Sequence, residues 1–298
     1  MFSILYAFNE INILKLGICV VFIGIIFGVH LIQPALAFGN YEKDLIYYPM
    51  DRNIADVRLK LKNTLEDTYF YSLDGVRLNA WYVKADEGKP TIIYCHGQGE
   101  NISMWQSVIQ EVTDKGYGIF MIEYRGHGRS EGSPRETGLY TDLESAIKYL
   151  RENKNIDQNN IILWGRSLGG AVVADVASRD TFKGVILEST FTNIRDVGIH
   201  LCATKILECK IGFWRRISTK FAKFMPITQK FDTEHKIAKI TSPLLIGHST
   251  NDEIVPVEMG KKLALLNPQA QVYISQTGSH HSSEWFIPRA LEFLSTLH

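Results

Sequence analysis

After Tyr47-Tyr48-Pro49 the chain alternates between short apolar runs and longer stretches of helical periodicity. Phe70 to Val83 holds Asp74-Gly75 between two apolar-alternating runs, the sequence signal of a β-hairpin. Runs rich in β-branched and aromatic residues follow at Thr91 to Cys95, Gly118 to Tyr124, Ile161 to Gly165, Gly184 to Glu188, Pro243 to Gly247 and Gln271 to Ser275. Each has the length of a strand. Between most of them the period becomes helical. Leu143, Ile147 and Leu150 share one face of Leu139 to Asn153, and Trp285 to Leu297 has the same kind of pattern. Strands alternating with helices predict a mostly parallel central sheet with helices on both faces, an α/β architecture. Functional sites in such sheets lie at the carboxyl ends of strands. The chain shows no internal repeat and no low-complexity segment.

The amino-terminal segment has a different pattern. Leu16 to Leu31 reads LGICVVFIGIIFGVHL, apolar except for His30, and Leu16 to Phe38 supplies the roughly 20 residues that a helix needs to span a bilayer. Two readings compete: a retained single-pass anchor, and a signal peptide cleaved near Ala35-Leu36-Ala37. The long stretch before the apolar run carries Glu10 as well as Lys15 rather than a positive cluster, which favours the anchor. A helix buried in a soluble core is the blander third reading. The expected division is therefore an anchor or signal segment over residues 1–40 and a globular domain over residues 41–298. The expected location is the membrane, with secretion or a periplasmic location after cleavage as the alternative.

Composition narrows the function classes. A chain of 298 residues with 45% apolar content can bury a large core. Lysine plus arginine equals aspartate plus glutamate at 32 each, so no global charge draws the protein to nucleic acid, and no nucleic-acid partner is expected. The four cysteines, Cys19, Cys95, Cys202 and Cys209, have neither CxxC nor metal-ligand spacing. Free thiols and no metal are the expectation. On one unbroken helix Cys202 and Cys209 would stand roughly 10 Å apart, too far for a disulfide.

The densest chemical signal follows the run Ile161 to Trp164. There Gly165-Arg166-Ser167-Leu168-Gly169-Gly170 leads into Ala171 to Ala177, apolar except for Asp175. Glycines at these positions permit a sharp strand-to-helix turn that lifts the serine hydroxyl clear of the sheet. The first N–H groups of the following helix lack internal partners and face developing negative charge. The bland alternative is a serine that caps the helix. A serine hydroxyl needs a histidine oriented by a carboxylate to become a nucleophile. Later strand ends offer both: Asp252, with Glu253 and Glu188 as weaker acids, and the neighbouring pair His280 and His281, of which His280 is preferred. His96, His127 and His248 read as hydrogen-bonded structural residues. The run Thr91 to Cys95 ends in His96-Gly97-Gln98-Gly99-Glu100-Asn101, a glycine turn before a helix.

With these pieces in place the chain resembles the α/β-hydrolase superfamily. Within it the likeness is to a membrane-anchored subfamily similar to protein depalmitoylases and to the serine aminopeptidase and monoacylglycerol-lipase-like hydrolases. The matching stretches are HGQGENISMW, EYRGHGRSEG, GLYTDLESAIKYL, WGRSLGGAVV, ESTFTNIRDV, FDTEHKIAKITSPLLIGHSTNDEIVP and GSHHSSEW, spread from about Asp67 to the carboxyl terminus. The resemblance implies Ser167, Asp252 and His280 as the catalytic residues and the N–H groups of Gln98 and Leu168 as oxyanion donors. Members commonly have asparagine at the position of Gln98 and glycine at that of Ser249; neither change removes a reacting group. It also implies ester or thioester hydrolysis with no cofactor, with a peptidase or a non-catalytic scaffold as alternatives. An aspartate in place of Ser167 would have pointed to a dehalogenase.

Residues 191–230 form an insertion where related enzymes carry a lid. It has eight basic residues against two acidic ones, a net charge of +6, interleaved with Ile206, Leu207, Phe213, Trp214, Phe221 and Phe224. This basic amphipathic character fits an anionic membrane surface as well as a solvated lid face. The expected substrate is a small-molecule or lipid acyl ester or thioester, with acylated proteins a further possibility.

Overall fold

The expected hairpin forms one edge of the sheet. In the computed structural model, β1 (Leu65–Tyr71) and β2 (Arg77–Val83) pair antiparallel, with Leu65 opposite Val83 and Tyr71 opposite Arg77. Between them Ser72 N donates to Val76 O at 2.8 Å, and Gly75 takes φ +83°, a left-handed conformation that glycine adopts at little cost. The structure describes residues 46–47, 55–204 and 227–297. Six further strands follow: β3 (Thr91–Cys95), β4 (Gly118–Ile122), β5 (Ile161–Arg166), β6 (Gly184–Glu188), β7 (Leu244–Ser249) and β8 (Gln271–Ser275). Their order is β1-β2-β4-β3-β5-β6-β7-β8, with every pairing after β2–β4 parallel.

This order positions the site. From β3 the chain first adds β4 on one side and then returns to add β5 on the other. The connections therefore leave β3 and β5 in opposite directions, and a crevice opens outside their carboxyl ends. Cys95 and Gly165 are register partners at those ends.

Among the described residues the α-helices that follow β3 are α1 (Gln106–Asp114), α2 (Glu136–Asn153), α3 (Leu168–Ala177), α4 (Ile194–Thr204), α5 (Glu234–Ile237), α6 (Val257–Leu266) and α7 (Ile287–Ser295). Because side chains alternate along a strand, β3 and β5 send Ile92, Tyr94, Ile162 and Trp164 to one face. There they pack with Val108, Ile109 and Val112 of α1 and with Ala290, Phe293 and Leu294 of α7. Helices α2 and α3 pack on each other and on β3 and β5, and contribute nothing to that cluster, so they cover the opposite face. All ten residues of α3 are buried, which explains a sequence that is apolar except for Asp175, whose carboxylate pairs with Arg179 and with Lys236. Each fully buried leucine, isoleucine or valine contributes about 1.5–3 kcal/mol, so this central layer fixes the β5–α3 junction firmly.

Two helix boundaries differ from those expected. Helix α2 starts at Glu136 rather than Leu139, because the Glu136 carboxylate accepts from Lys230 N at 2.6 Å and Phe231 N at 2.8 Å. Helix α7 runs only over Ile287–Ser295, with Pro288 in its first turn, and Trp285 and Phe286 turn into the sheet instead. The apolar stretch 16–38 and residues 205–226 of the insertion lie outside the described residues, as do Cys19, Cys209 and the side chain of Cys202. Among the described residues no helix is long and apolar enough to cross a membrane. The two ends of the insertion meet at its base: Ile194 N donates to Lys230 O at 3.0 Å, and Glu234 N to Thr192 O at 3.0 Å. Cys95 is a buried free thiol, pushed up to about 12 by that burial.

Candidate active site

Strand β5 passes into α3 through one residue, Ser167, whose φ of 51° and ψ of −116° lie where side-chain-bearing residues rarely sit. Such a backbone stores about 1–3 kcal/mol and persists only where the surroundings enforce it. Here they do. Ser167 N donates to Glu188 O at 2.8 Å, while Ser167 O accepts from Gly170 N at 3.0 Å and Thr190 Oγ1 at 2.8 Å. The flanking glycines answer to close packing. A Cβ on Gly165 would come 2.3 Å from Gly169 O, and one on Gly169 would come 2.0 Å from Cys95 O. The amino terminus of α3 thus presses directly on the end of β3.

The loop after β8 brings His280 onto this serine. Ser167 Oγ stands 3.0 Å from His280 Nε2, and His280 Nδ1 stands 2.8 Å from Asp252 Oδ2. With a proton on Nδ1 donated to the carboxylate, Nε2 is left to accept the serine hydroxyl proton, an assignment made from the hydrogen-bond network. Asp252 follows β7, and its side chain has no exposed surface. Burial alone would raise its carboxyl. Hydrogen bonds from His248, His280 and Val255 N overcome that effect and hold it well below the usual carboxylate range. Its Oδ1 accepts from Ile254 N at 3.0 Å and Val255 N at 2.8 Å, leaving Oδ2 for His280.

The other candidates stand elsewhere. His281 keeps 72% of its side-chain surface exposed and pairs with Glu253 at 3.6 Å. Glu253 uses its other oxygen to accept from His280 N at 3.1 Å, so it braces the histidine loop. Glu188 lies fully buried behind the serine, where it accepts from Trp164 Nε1 at 3.0 Å and from Ser283 Oγ. Burial pushes its carboxyl up to about 7 against the pull of Arg166. His96, His127 and His248 each direct one ring nitrogen to a backbone oxygen, those of Gly97, Arg125 and Val255 at 2.9, 3.1 and 2.9 Å. Gln98 is exposed on the loop after β3, and Leu168 is the first residue of α3. Each follows its strand's register partner, Cys95 or Gly165, by three residues. The N–H of Leu168 has no acceptor within its own helix.

Sequence reasoning missed three contributors. His248 Nε2 approaches Asp252 Oδ2 at 3.4 Å, a second histidine on the same carboxylate, foreshadowed only by its spacing of four residues. Thr190 and Ser283 lie within the matched stretches ESTFTNIRDV and GSHHSSEW, but nothing in those stretches marked their contacts. The arrangement as a whole offers a hydroxyl hydrogen-bonded to an imidazole, an imidazole oriented by a carboxylate, and a helix amino terminus beside them. That set can add an oxygen nucleophile to a carbonyl and take up the proton it releases.

Comparison with known proteins agrees with this architecture. A family model described as serine aminopeptidase, S33, matches residues 86–234. The α/β hydrolase domain-containing protein WAV2 of Arabidopsis thaliana is 31% identical over 268 residues, covering 85% of this chain and 86% of its own length. Human protein ABHD12B is 34% identical over 191 residues, covering 61% of this chain and 51% of its own. Among solved structures, an esterase from Pyrococcus furiosus shares the fold with a TM-score of 0.66 at 20% identity, covering 83% of this chain and 98% of its own. An acetyl xylan esterase from Thermoanaerobacterium does so with a TM-score of 0.59 at 18% identity, covering 82% of this chain and 89% of its own. With a family model spanning half its length and a relative above 30% identity across most of both chains, the protein belongs to the α/β-hydrolase superfamily.

Proposed function

We propose that the protein is a serine hydrolase that cleaves carboxylic ester or thioester bonds of acyl substrates through an acyl-enzyme intermediate. The observation that carries this reading is the pair of contacts linking Ser167 Oγ to His280 Nε2 at 3.0 Å and His280 Nδ1 to Asp252 at 2.8 Å. In the proposed cycle Ser167 Oγ bonds to the substrate carbonyl carbon as its proton passes to His280 Nε2. The resulting oxyanion takes hydrogen bonds from the N–H groups of Leu168 and Gln98. Losing one such donor typically costs about a hundredfold or more in rate. The imidazolium, stabilised by Asp252, returns the proton to the leaving alkoxide or thiolate. Water then gives a proton to His280 as its oxygen bonds to the acyl carbon, and His280 returns that proton to Ser167 Oγ as the bond from Oγ to the acyl carbon breaks and the acid leaves.

Acyl chains presented at a membrane are the proposed substrate class: lysolipids, monoacylglycerols or acylated proteins. The apolar sequence Leu16 to Phe38 and the net charge of +6 over residues 191–230 support it, since together they favour an anionic bilayer surface. Neutralising the basic residues of the insertion should weaken binding to anionic vesicles, and unchanged binding would remove the membrane from the proposal. The family description, serine aminopeptidase, favours cleavage of an amino-terminal peptide bond as a second reading. One assay separates these readings. Purified protein is given p-nitrophenyl esters of graded chain length alongside amino-acid p-nitroanilides. Turnover of the esters is expected, and Ser167→Ala should lower it by about 10⁵-fold or more in a folded protein. Turnover of the anilides alone would replace the esterase reading.

A further inference from the structure

Beneath the proposed active site lies a charged cluster that the chemistry above does not use. Arg166, the residue between Gly165 and Ser167, has no exposed surface, and neither has Glu188; Glu100 is 6% exposed. Arg166 Nη1 bonds Glu100 Oε1, and its Nε faces Glu188 Oε1 at 3.7 Å. The guanidinium also lies over the Trp105 ring, 4.3 Å from its centre. Each carboxylate reaches onward to a different loop. Glu100 Oε2 accepts from Gly97 N at 2.6 Å and from Trp105 Nε1 at 3.0 Å, which fixes the loop that carries Gln98. Glu188 Oε1 accepts from Ser283 Oγ, three residues beyond His280.

We infer that the buried Glu100–Arg166–Glu188 cluster is a positioning device that holds the oxyanion loop, the nucleophile turn and the histidine loop in mutual register. The inference rests on the serine-hydrolase reading given above. Two features distinguish the cluster from packing that only stabilises the fold. As glue it is badly made: among the described residues Arg166 Nε and Nη2 have no partner at hydrogen-bond distance. Apolar residues of the same volume commonly stabilise a core as well as or better than buried ion pairs. Its connections are also selective, since each of its three members is one to three residues from a proposed reacting group or bonded to a residue that is. Glu100 holds the residue before Gln98, Arg166 precedes Ser167, and Ser283 follows His280 closely. A shift of about 1 Å between such groups can cost a hundredfold in rate without disturbing substrate binding.

The test compares the wild-type full chain with Glu100→Gln, Glu100→Ala and Ser283→Ala. It measures kcat and KM on a p-nitrophenyl ester, the rate at which a fluorophosphonate modifies Ser167, and Tm, with turnover counted per folded molecule. Glutamine keeps an oxygen for Gly97 N but loses the charge, whereas alanine loses both. The expected result is a kcat lowered about 10-fold in Glu100→Gln and more in Glu100→Ala, with phosphonylation slowed in parallel and KM within about twofold of wild type. Ser283→Ala removes one hydroxyl, so it keeps the fold even if the Glu100 variants do not. Its kcat should fall about threefold with Tm nearly unchanged. Wild-type kcat and labelling rates in folded Ser283→Ala, or in a folded Glu100 variant, would overturn the inference whatever happens to Tm. Failure of the wild-type protein itself to react at Ser167 or to turn over ester would instead overturn the serine-hydrolase reading.

Discussion

Replacing Asp252 with asparagine isolates what the carboxylate contributes to His280. The side chain keeps its shape, and its remaining carbonyl oxygen can still accept from Ile254 N and Val255 N, which lie 3.0 and 2.8 Å from Oδ1. The change falls on the other side. Where Oδ2 now stands 2.8 Å from His280 Nδ1, an amide NH₂ would meet a ring N–H, donor against donor. The imidazole escapes by moving its proton to Nε2, which then donates toward Ser167 Oγ and can no longer accept from it. The nucleophile loses its base while every heavy atom stays in place. For a wrong tautomer of this kind the loss in kcat is about 10⁴-fold, equivalent to about 5.5 kcal/mol of transition-state stabilisation. Stability changes far less. The hydrogen bond that the charge receives from His280 is worth about 1.5–3 kcal/mol, or roughly 3–12 °C in Tm for a domain of this size. The assay is steady-state hydrolysis of a p-nitrophenyl ester, with near-ultraviolet circular dichroism confirming the fold. A folded Asp252→Asn protein that keeps more than about a tenth of wild-type kcat would refute the orientation argument.

Replacing the neighbouring histidines one at a time should separate them sharply. His280→Ala is expected to lose about 10⁵-fold or more in kcat, whereas the exposed His281→Ala should stay within about threefold, and the reverse pattern would move the base to His281. Gly169→Ala sets a methyl group 2.0 Å from Cys95 O, so α3 must move off β3; a loss of about 1–3 kcal/mol in urea unfolding is expected, and an unchanged midpoint would mean that the junction is slack. His127 is buried, and desolvation together with the nearby charge of His96 lowers its imidazole to about 3. A folded-state value below that of the unfolded chain, about 6.5, means stability that is complete above that pH and falls as pH drops toward 3. Between pH 7 and pH 5 the wild type should therefore lose about 2 kcal/mol more than His127→Gln in chemical denaturation, and parallel pH curves for the two proteins would contradict this.

Much of the fold was legible because its signals are local. The runs chosen as strands coincide with β3 to β8 to within two residues; for β3 to β7 the reason is that fully buried parallel strands need continuous β-branched and aromatic sequence. Asp74-Gly75 marked the turn of the β1–β2 hairpin for an equally local reason. The order of strands was not legible: nothing within β3 or β4 records that β4 lies between β2 and β3. The early start of α2 was hidden likewise, because it depends on Glu136 meeting Lys230 and Phe231 across 94 and 95 positions of sequence. Ser167 could be read because its turn needs glycines at fixed offsets. His280 and Asp252 could be placed because strand ends are where partners must come from. The cluster around Arg166 was overlooked, since the pattern Gly-x-Ser-x-Gly treats that position as arbitrary. An arginine closing the otherwise apolar run Ile161 to Gly165 was the available clue, because a buried guanidinium requires buried carboxylates.

The central claim is that Ser167 is a nucleophile activated by His280 and Asp252. Its most direct test is to expose the purified protein to a fluorophosphonate and to locate the adduct by mass spectrometry, with His280→Ala and Asp252→Asn treated alongside. The account predicts one phosphonyl group on Ser167 in the wild type and slowed labelling in both variants. A folded wild-type protein whose Ser167 stays unmodified, or one labelled at the same rate in all three proteins, would contradict it.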